Sequence, residues 1–352
     1  MLQYLVSVGT LAAITAILVL GVNVRWGLAG ELDLGYYLFP AVGAYIYGVV
    51  TLPKAVTGVD VQYILGLHQS FFVGVLAAAV VGGLLSLVIG AVALRRLRAN
   101  YFAIVTVACT IIGYTFISQY RPLFNGYNGI YGIPPLFGGE LTLSPQAYSN
   151  FFFILCLVAL ALIFFIVELI RRSPFGRAAK AVREDEIAAL AFGRSPYKLR
   201  LKAYIIGGVV GAVGGALLIN YVLAFSPNAW SPLETFLLYG ALLVGGTANN
   251  IGAIVGAWLV LIGFPQVVLL LPGGSTSDAA PAIENMLIGL LIILTLYFRA
   301  GGLVPELKTM EGQFRTNGQW NYKVNRAKRE TAKQAEARRA TVPDITPSVT
   351  GD

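Results

Sequence analysis

Charge is scarce in this chain. Of its 352 residues 12% are charged and 57% are hydrophobic, whereas about a quarter of residues carry charge in an ordinary soluble domain. A polytopic membrane protein is the class that fits. Histidine is scarcer still: His68 stands alone, and Cys109 and Cys156 both lie inside apolar runs. Neither a disulfide framework nor a Cys/His metal cluster can be built from these three residues, and a Ser/His/Asp or Cys/His catalytic set is missing too. No glycine is followed by lysine. That excludes a G-x-x-x-x-G-K-[ST] phosphate loop, so neither an ATP site nor any other cofactor is expected in this chain. The apolar run at the N-terminus has no basic flank and no small-residue cleavage pattern, and it is read as a retained span rather than a signal peptide.

What the chain has instead is long apolar runs, at 2–22, 36–52, 71–94, 101–117, 151–170, 203–221, 251–271 and 283–298, with a shorter one at 236–246. About 20 helical residues cross a ~30 Å hydrocarbon layer, so the fold class is all-α with about 8–10 spans. The short run cannot cross alone. The turn Gly245-Gly246-Thr247-Ala248-Asn249-Asn250 after it predicts a half-helix or tight hairpin.

The 25 basic residues are not spread evenly. Between 171 and 202 stand Arg171, Arg172, Arg177, Lys180, Arg183, Arg194, Lys198, Arg200 and Lys202 against Glu184, Asp185 and Glu186, a net +6. By the positive-inside bias this loop is cytoplasmic, together with the turn at Arg95, Arg96 and Arg98 and the basic tail. Intervening connections are nearly free of Lys and Arg, which places them outside. The division is a membrane domain over residues 1–305, carrying the loop 171–202, and a basic cytoplasmic tail over 306–352, partly disordered. The overall charge of +8 sits at span flanks and in that tail, where topology and anionic membrane lipid account for it and nucleic acid does not.

Within the loop, Ser173-Pro174 reads as a helix start, with a serine cap and proline in the first turn. A second short helix is predicted over 184–192, its carboxylates in the first turn and Gly193 as the left-handed stop. Its residues Ile187 to Phe192 are apolar in a loop too small to bury them, which invites a protein partner. Gly207, Gly211 and Gly215 form a small-residue stripe along one helix face, read as close helix packing. Gly27, Gly30 and Gly35 flank Glu31 and Asp33 between two apolar segments. Two readings stand for that stretch: an unwound segment lining an aqueous translocation path, or a short cytoplasmic turn with solvated carboxylates. Asn128 and Gly129, in the turn-rich external stretch 125–135, are grouped with the pathway candidates.

Five stretches in order resemble the signatures of a known family. They are Gly27-Leu28-Ala29-Gly30-Glu31-Leu32-Asp33-Leu34-Gly35 continuing to Val42-Gly43-Ala44-Tyr45, then residues 97–106, then Asn128-Gly129-Ile130-Tyr131-Gly132-Ile133-Pro134. Ser173-Pro174-Phe175-Gly176-Arg177 with 183–193 is the fourth, and Leu243-Val244-Gly245-Gly246 with Gly252 and Gly256 the fifth. Together they resemble the LivM-type membrane subunit of ABC importers for branched-chain amino acids, over residues 23–303. The resemblance implies a type II ABC-importer-like permease fold. It implies a coupling helix that enters a groove of a cytoplasmic ATPase, carried by Glu186, Ala188, Ala189 and Gly193. The importer pattern is Glu-Ala-Ala-x-x-x-Gly, and Ile187 displaces Glu186 from it by one position. Tyr36 stands where relatives often carry histidine, and the tail is longer than the family core requires.

The partners implied are two ATPase subunits, a second homologous permease subunit and an external solute-binding protein, in the inner membrane. The solute implied is a branched-chain amino acid or a related small polar solute. An ion-coupled secondary transporter or channel is the alternative. Such a carrier should hold an ionisable pair deep in its spans, and no central carboxylate or lysine is apparent.

Overall fold

The computed structural model describes residues 2–53, 66–97, 99–134, 136, 144–229, 232–269, 280–299 and 301–306. The tail over 307–352, Arg98 and Pro135 lie outside the described residues. Helix α1, Leu2–Val22, runs on into a π-helical turn, Asn23–Leu28. After an unwound stretch comes α2, Leu38–Thr51, then α3, Phe71–Arg96, and α4, Ala99–Gln119. Short α5, Arg121–Phe124, leads to β1, Ile130–Tyr131. Next follow α6, Pro145–Arg172, and the loop helices α7, Pro174–Glu184, and α8, Glu186–Ala191. Helix α9, Pro196–Val222, ends at β2, Ala224–Phe225. The remainder is α10, Pro232–Gly245, α11, Asn250–Ala257 with a π-helical continuation Trp258–Gly263, α12, Phe264–Leu269, and α13, Ala280–Phe298.

Among the described residues six helices are long and apolar enough to cross a membrane, and three shorter apolar ones accompany them. The architecture is therefore all-α, as composition required. Two boundaries differ from the hydropathy reading. Helix α1 extends to Leu28, because Arg25 and Asn23 find partners inside the protein and the helix does not stop at its first polar residue. Helix α2 is shortened to 14 residues, since Gly30, at φ +76°, releases the chain into the unwound stretch before it. The hairpin expected after residue 235 is present: α10 and α11 meet at a tight turn where Gly246 and Ala248 take positive φ.

Helix α9 is the central post, packed on α1, α2 and α3. Lipid tails solvate apolar side chains as well as another helix does, so association depends on close van der Waals fit. The glycines of α9 supply it. Gly207 faces Arg25 and the Gly21 carbonyl, Gly211 faces the Tyr36 ring, and Gly215 is pressed on the Pro40 backbone. At one end of the bundle β1 and β2 pair antiparallel, Ile130 with Phe225 and Tyr131 with Ala224, and α2 ends there with Gly48 against Ile130. At the other end the loop helices, the 246–249 turn and residues 301–306 come together. Leu303 and Val304 amides bond the last carbonyls of α10, at 2.8 and 2.9 Å from the Val244 and Gly245 oxygens. This caps a helix end that would otherwise leave orphan acceptors.

A Cβ on Gly215 would lie 1.8 Å from the Pro40 carbonyl oxygen, a backbone atom with no rotamer to escape into. Gly215→Leu is expected to separate α9 from α2 and to cost about 1–3 kcal/mol or more, read as a lower melting temperature of the purified protein in detergent. An unchanged melt would place α9 elsewhere in the packing.

Candidate functional site

The basic loop is built by capping. The Gly176 amide donates to the Ser173 hydroxyl at 3.2 Å, with Pro174 in the first turn, and α7 buries Ala178, Ala179 and Val182 on one face. Helix α8 starts afresh because the Asp185 carboxylate accepts from the Ala188 amide at 2.9 Å. Its start is thus Glu186, two residues later than the charge pattern predicted, Glu184 belonging to α7. Gly193, at φ +71°, closes it. The amides of Gly193 and Arg194 bond the Leu190 and Ala189 carbonyls at 2.9 and 3.0 Å.

The face left open carries Ile187, 80% exposed, and Phe192, 84% exposed, with Leu190 beside them. Ala188 and Glu186 are exposed as well. Ala189 is not: at 4% exposure it turns toward its own chain. The expectation that 187–192 is left unburied fails at Ala189, because successive helical residues are turned by about 100° and one can pack inward while its neighbours point out.

Beneath α8 lies a cluster of ion pairs. The guanidinium of Arg200, in the first turns of α9, holds two carboxylates: Nε is 2.7 Å from Glu31 and Nη2 is 3.0 Å from Glu186. Arg183 of α7 donates to the Gly27 carbonyl and to Glu306 at 2.8 Å, and Lys180 also pairs with Glu306. Arg183, Arg200, Glu306 and Gly27 line a polar cavity of about 310 Å³ together with Trp26, Ala29, Gly30 and Thr247. Burial pushes the Glu306 carboxyl up, but Lys180 and Arg183 outweigh it and leave the group below its ordinary value. That contact is complete above the ordinary carboxylate range and is lost as pH falls through the lowered value. Glu31 shifts the other way, raised by burial against the opposing pull of Arg200.

Deeper in, Arg25 and Asp33 form an ion pair with no exposure on either side chain. Arg25 Nε also donates to the Tyr204 carbonyl at 3.1 Å and Nη2 to Ser86 at 3.2 Å. Its guanidinium lies 3.9 Å from the ring centres of both Phe39 and Tyr204, a cation–π arrangement. Asp33 accepts from the Gly35 amide at 3.0 Å, and its own amide donates to the Tyr239 hydroxyl at 2.9 Å. The Gly35 carbonyl in turn accepts from Thr110 at 3.0 Å. An adjoining chain runs from Ala248 through Asn23 and Asn250 to Glu168, at 2.8, 2.9 and 2.8 Å. It ties the hairpin turn to α1 and α6.

Gly27, Gly30 and Glu31 therefore converge beneath the loop helices, while Asp33 and Gly35 lie deeper, against Arg25 and against Thr106 and Thr110 of α4. The solvated-turn reading of this stretch fails on burial, since Glu31 and Asp33 are 3% and 0% exposed. Asn128 and Gly129 do not join them. Gly129 sits against Phe225 and Ser226 at the far end of α2, a helix of 14 residues and hence about 20 Å long. Three side chains that build these ion pairs were not among the sequence candidates: Arg25, Arg200 and Glu306. Arg25 was visible as a lone cation six and eight residues before two anions, Glu31 and Asp33, in apolar surroundings. The Arg25–Asp33 pair also removes the argument that this chain holds no buried ionisable pair, so that criterion no longer separates the transporter classes.

A bundle of long apolar helices with glycine-mediated packing and a broken helix defines a multi-pass membrane protein. The comparisons narrow the class. The family described as branched-chain amino acid transport system, permease component, matches residues 4–296, and this chain belongs to it. The high-affinity branched-chain amino acid transport system permease protein LivM of Salmonella typhimurium is 30% identical over 88% of the chain and 72% of that protein. A probable LivM of Methanocaldococcus jannaschii is 27% identical over 82% and 89%. The LivH permease of Escherichia coli is 22% identical over 87% and 97%. No solved structure matches the chain.

Asp33→Asn would leave the Arg25 charge buried without a counter-charge, which is expected to lower stability by about 3–5 kcal/mol. Replacing both, Arg25→Met with Asp33→Leu, should recover part of that loss because no charge is then stranded. Thermal melts of the three variants in detergent check this, and a double variant worse than Asp33→Asn would refute it.

Proposed function

We propose that this chain is the membrane-spanning subunit of an ATP-driven importer in the inner membrane, passing branched-chain amino acids delivered by an external binding protein. The observation that carries the coupling role is a pair of exposed residues, Ile187 on α8 and Phe192 just past its end, with a helix too short to be stable without its neighbours. A cytoplasmic ATPase groove is the partner that such a protruding helix fits, and two ATPases would serve this chain and a second permease subunit. LivM and LivH are both among its relatives, which supports a paired permease. ATP is bound and split on the other chains. Here, nucleotide-driven movement enters through α8 and reaches the spans through the ion pairs at its foot. The substrate class rests on the relatives, whose names refer to branched-chain amino acids.

This reading requires the α8 end and the tail to be cytoplasmic. Cysteines introduced at Tyr127 and Ser195, at opposite ends of the bundle, in a chain lacking Cys109 and Cys156, should react with an impermeant thiol reagent from outside and from inside respectively. The opposite pattern would invert the assignment.

For the coupling contact, Phe192→Asp should weaken ATPase binding by about 2 kcal/mol or more if this ring is an interface anchor. The expected result is a permease that inserts normally, loses its ATPases on purification and no longer supports uptake. Full retention of the ATPases together with normal uptake would show that α8 is an ordinary surface turn.

A further inference from the structure

We infer that Arg200 is a positioning residue that transmits movement of α8 to the unwound segment between α1 and α2, by holding one carboxylate from each. This rests on the coupling role proposed above and assigns the path inward from it.

The geometry is specific. Arg200 is the only cation within ion-pair distance of either Glu31 or Glu186 among the described residues. Glu186 opens α8 and is half exposed, while Glu31 is buried within the unwound stretch. Their two links to one guanidinium make a bridge from the partner-facing helix to the protein interior. The interior end continues without slack. The Glu31 amide donates to the Arg25 carbonyl at 3.1 Å, and two residues on, Asp33 pairs with the Arg25 side chain. A displacement of α8 therefore acts on the hinge of the broken helix, at the point where α1 stops and α2 begins.

Arginine is required for this, not positive charge alone. A guanidinium is planar and spreads its charge over three nitrogens, so Nη2 can donate to Glu186 while the Nε edge stays in ion-pair contact with Glu31. A lysine ammonium on a flexible stem can follow either carboxylate and leave the other. Two negative charges facing one positive charge also set a preference. With Arg200 withdrawn, Glu31 would be an uncompensated buried carboxylate, so the bridge resists being pulled open at its inner end. Arg183 makes a parallel contact from α7 to the Gly27 carbonyl, but it touches the end of α1 and not α8. It can anchor the loop; it cannot report on the position of α8.

The test uses the complete importer, with both permeases, the ATPases and the binding protein, reconstituted in vesicles. Solute uptake, ATP hydrolysis and retention of the ATPases are measured together. Arg200→Lys and Glu31→Gln should each leave the complex assembled and hydrolysing ATP, while uptake per ATP falls about tenfold, within the usual range of coupling between sites. The double variant should be no worse than the poorer single one, because the same bridge is already broken. Glu31→Asp, which keeps the charge but draws it back from Arg200, should give the same fall in that ratio, and it serves as the readout if either of the other variants fails to assemble. An unchanged uptake-to-ATP ratio in assembled variants, or additive losses in the double, would overturn the role of Arg200. Loss of the wild-type reading itself is distinct: there Phe192→Asp would keep its ATPases and its uptake, whatever the Arg200 variants do.

Discussion

An arginine cannot shed its charge inside a protein, so burying one dictates what surrounds it. Arg25 is fully enclosed, and every neighbouring element answers to it. Asp33 supplies the counter-charge, Tyr204 a carbonyl and a ring face, Ser86 a hydroxyl and Phe39 a second ring. These come from the unwound stretch, α9, α3 and α2. Gly207 and Gly208 of α9 leave room for the side chain, since a Cβ at either would lie 2.5–2.6 Å from Arg25 atoms. The break after α1 follows from the same demand. To bring Asp33 back to Arg25 the chain must leave the helix within eight residues, and Gly30 provides the turn.

Placing such a pair inside a membrane protein gains little stability over apolar packing. What it gives is a single arrangement. Helices in lipid can slide or rotate at small cost when only apolar side chains meet, because tails and side chains are equivalent partners. A charged pair surrounded by hydrogen-bonding and aromatic contacts has one solution. The hairpin turn is fixed in the same manner by Asn23 and Asn250, which tie residue 248 to α1 and α6. Two polar knots thus hold the broken elements, and glycine contacts hold the straight ones.

Much of this was legible beforehand. Apolar run lengths gave the helix count to within the shorter elements, the turn at 245–250 announced the hairpin, and Ser173-Pro174 and Gly193 marked the loop helices where they stand. What escaped was pairing at long range. Nothing in local sequence joins Arg200 to Glu31, 169 positions earlier, or Glu306 to Lys180. The rotation of α8 was also hidden. Six residues of near-uniform apolarity carry no periodic signal, so only the packed structure shows Ala189 inward and Ile187 outward.

The two ends of the bundle follow different physical rules, and this division bears on how the protein moves. At the β1–β2 end the contacts include backbone pairs and aromatic edges, such as Tyr45 on Phe124 and Phe225 at 5.5 and 5.4 Å, beside neutral hydrogen bonds such as Asn220 to the Tyr47 hydroxyl at 2.6 Å. The ring contacts tolerate small displacements, because they are broad in distance and angle. At the α8 end the contacts are charged, directional and shared among helices that are distant in sequence. A push delivered to an apolar helix bundle would dissipate into side-chain rearrangement. Delivered to interlocked ion pairs it is passed on as a shift between defined positions, since a charged contact at low dielectric is either made or lost. The directional contacts therefore gather at the α8 end, where a displacement of one charged group has to be answered by its partners.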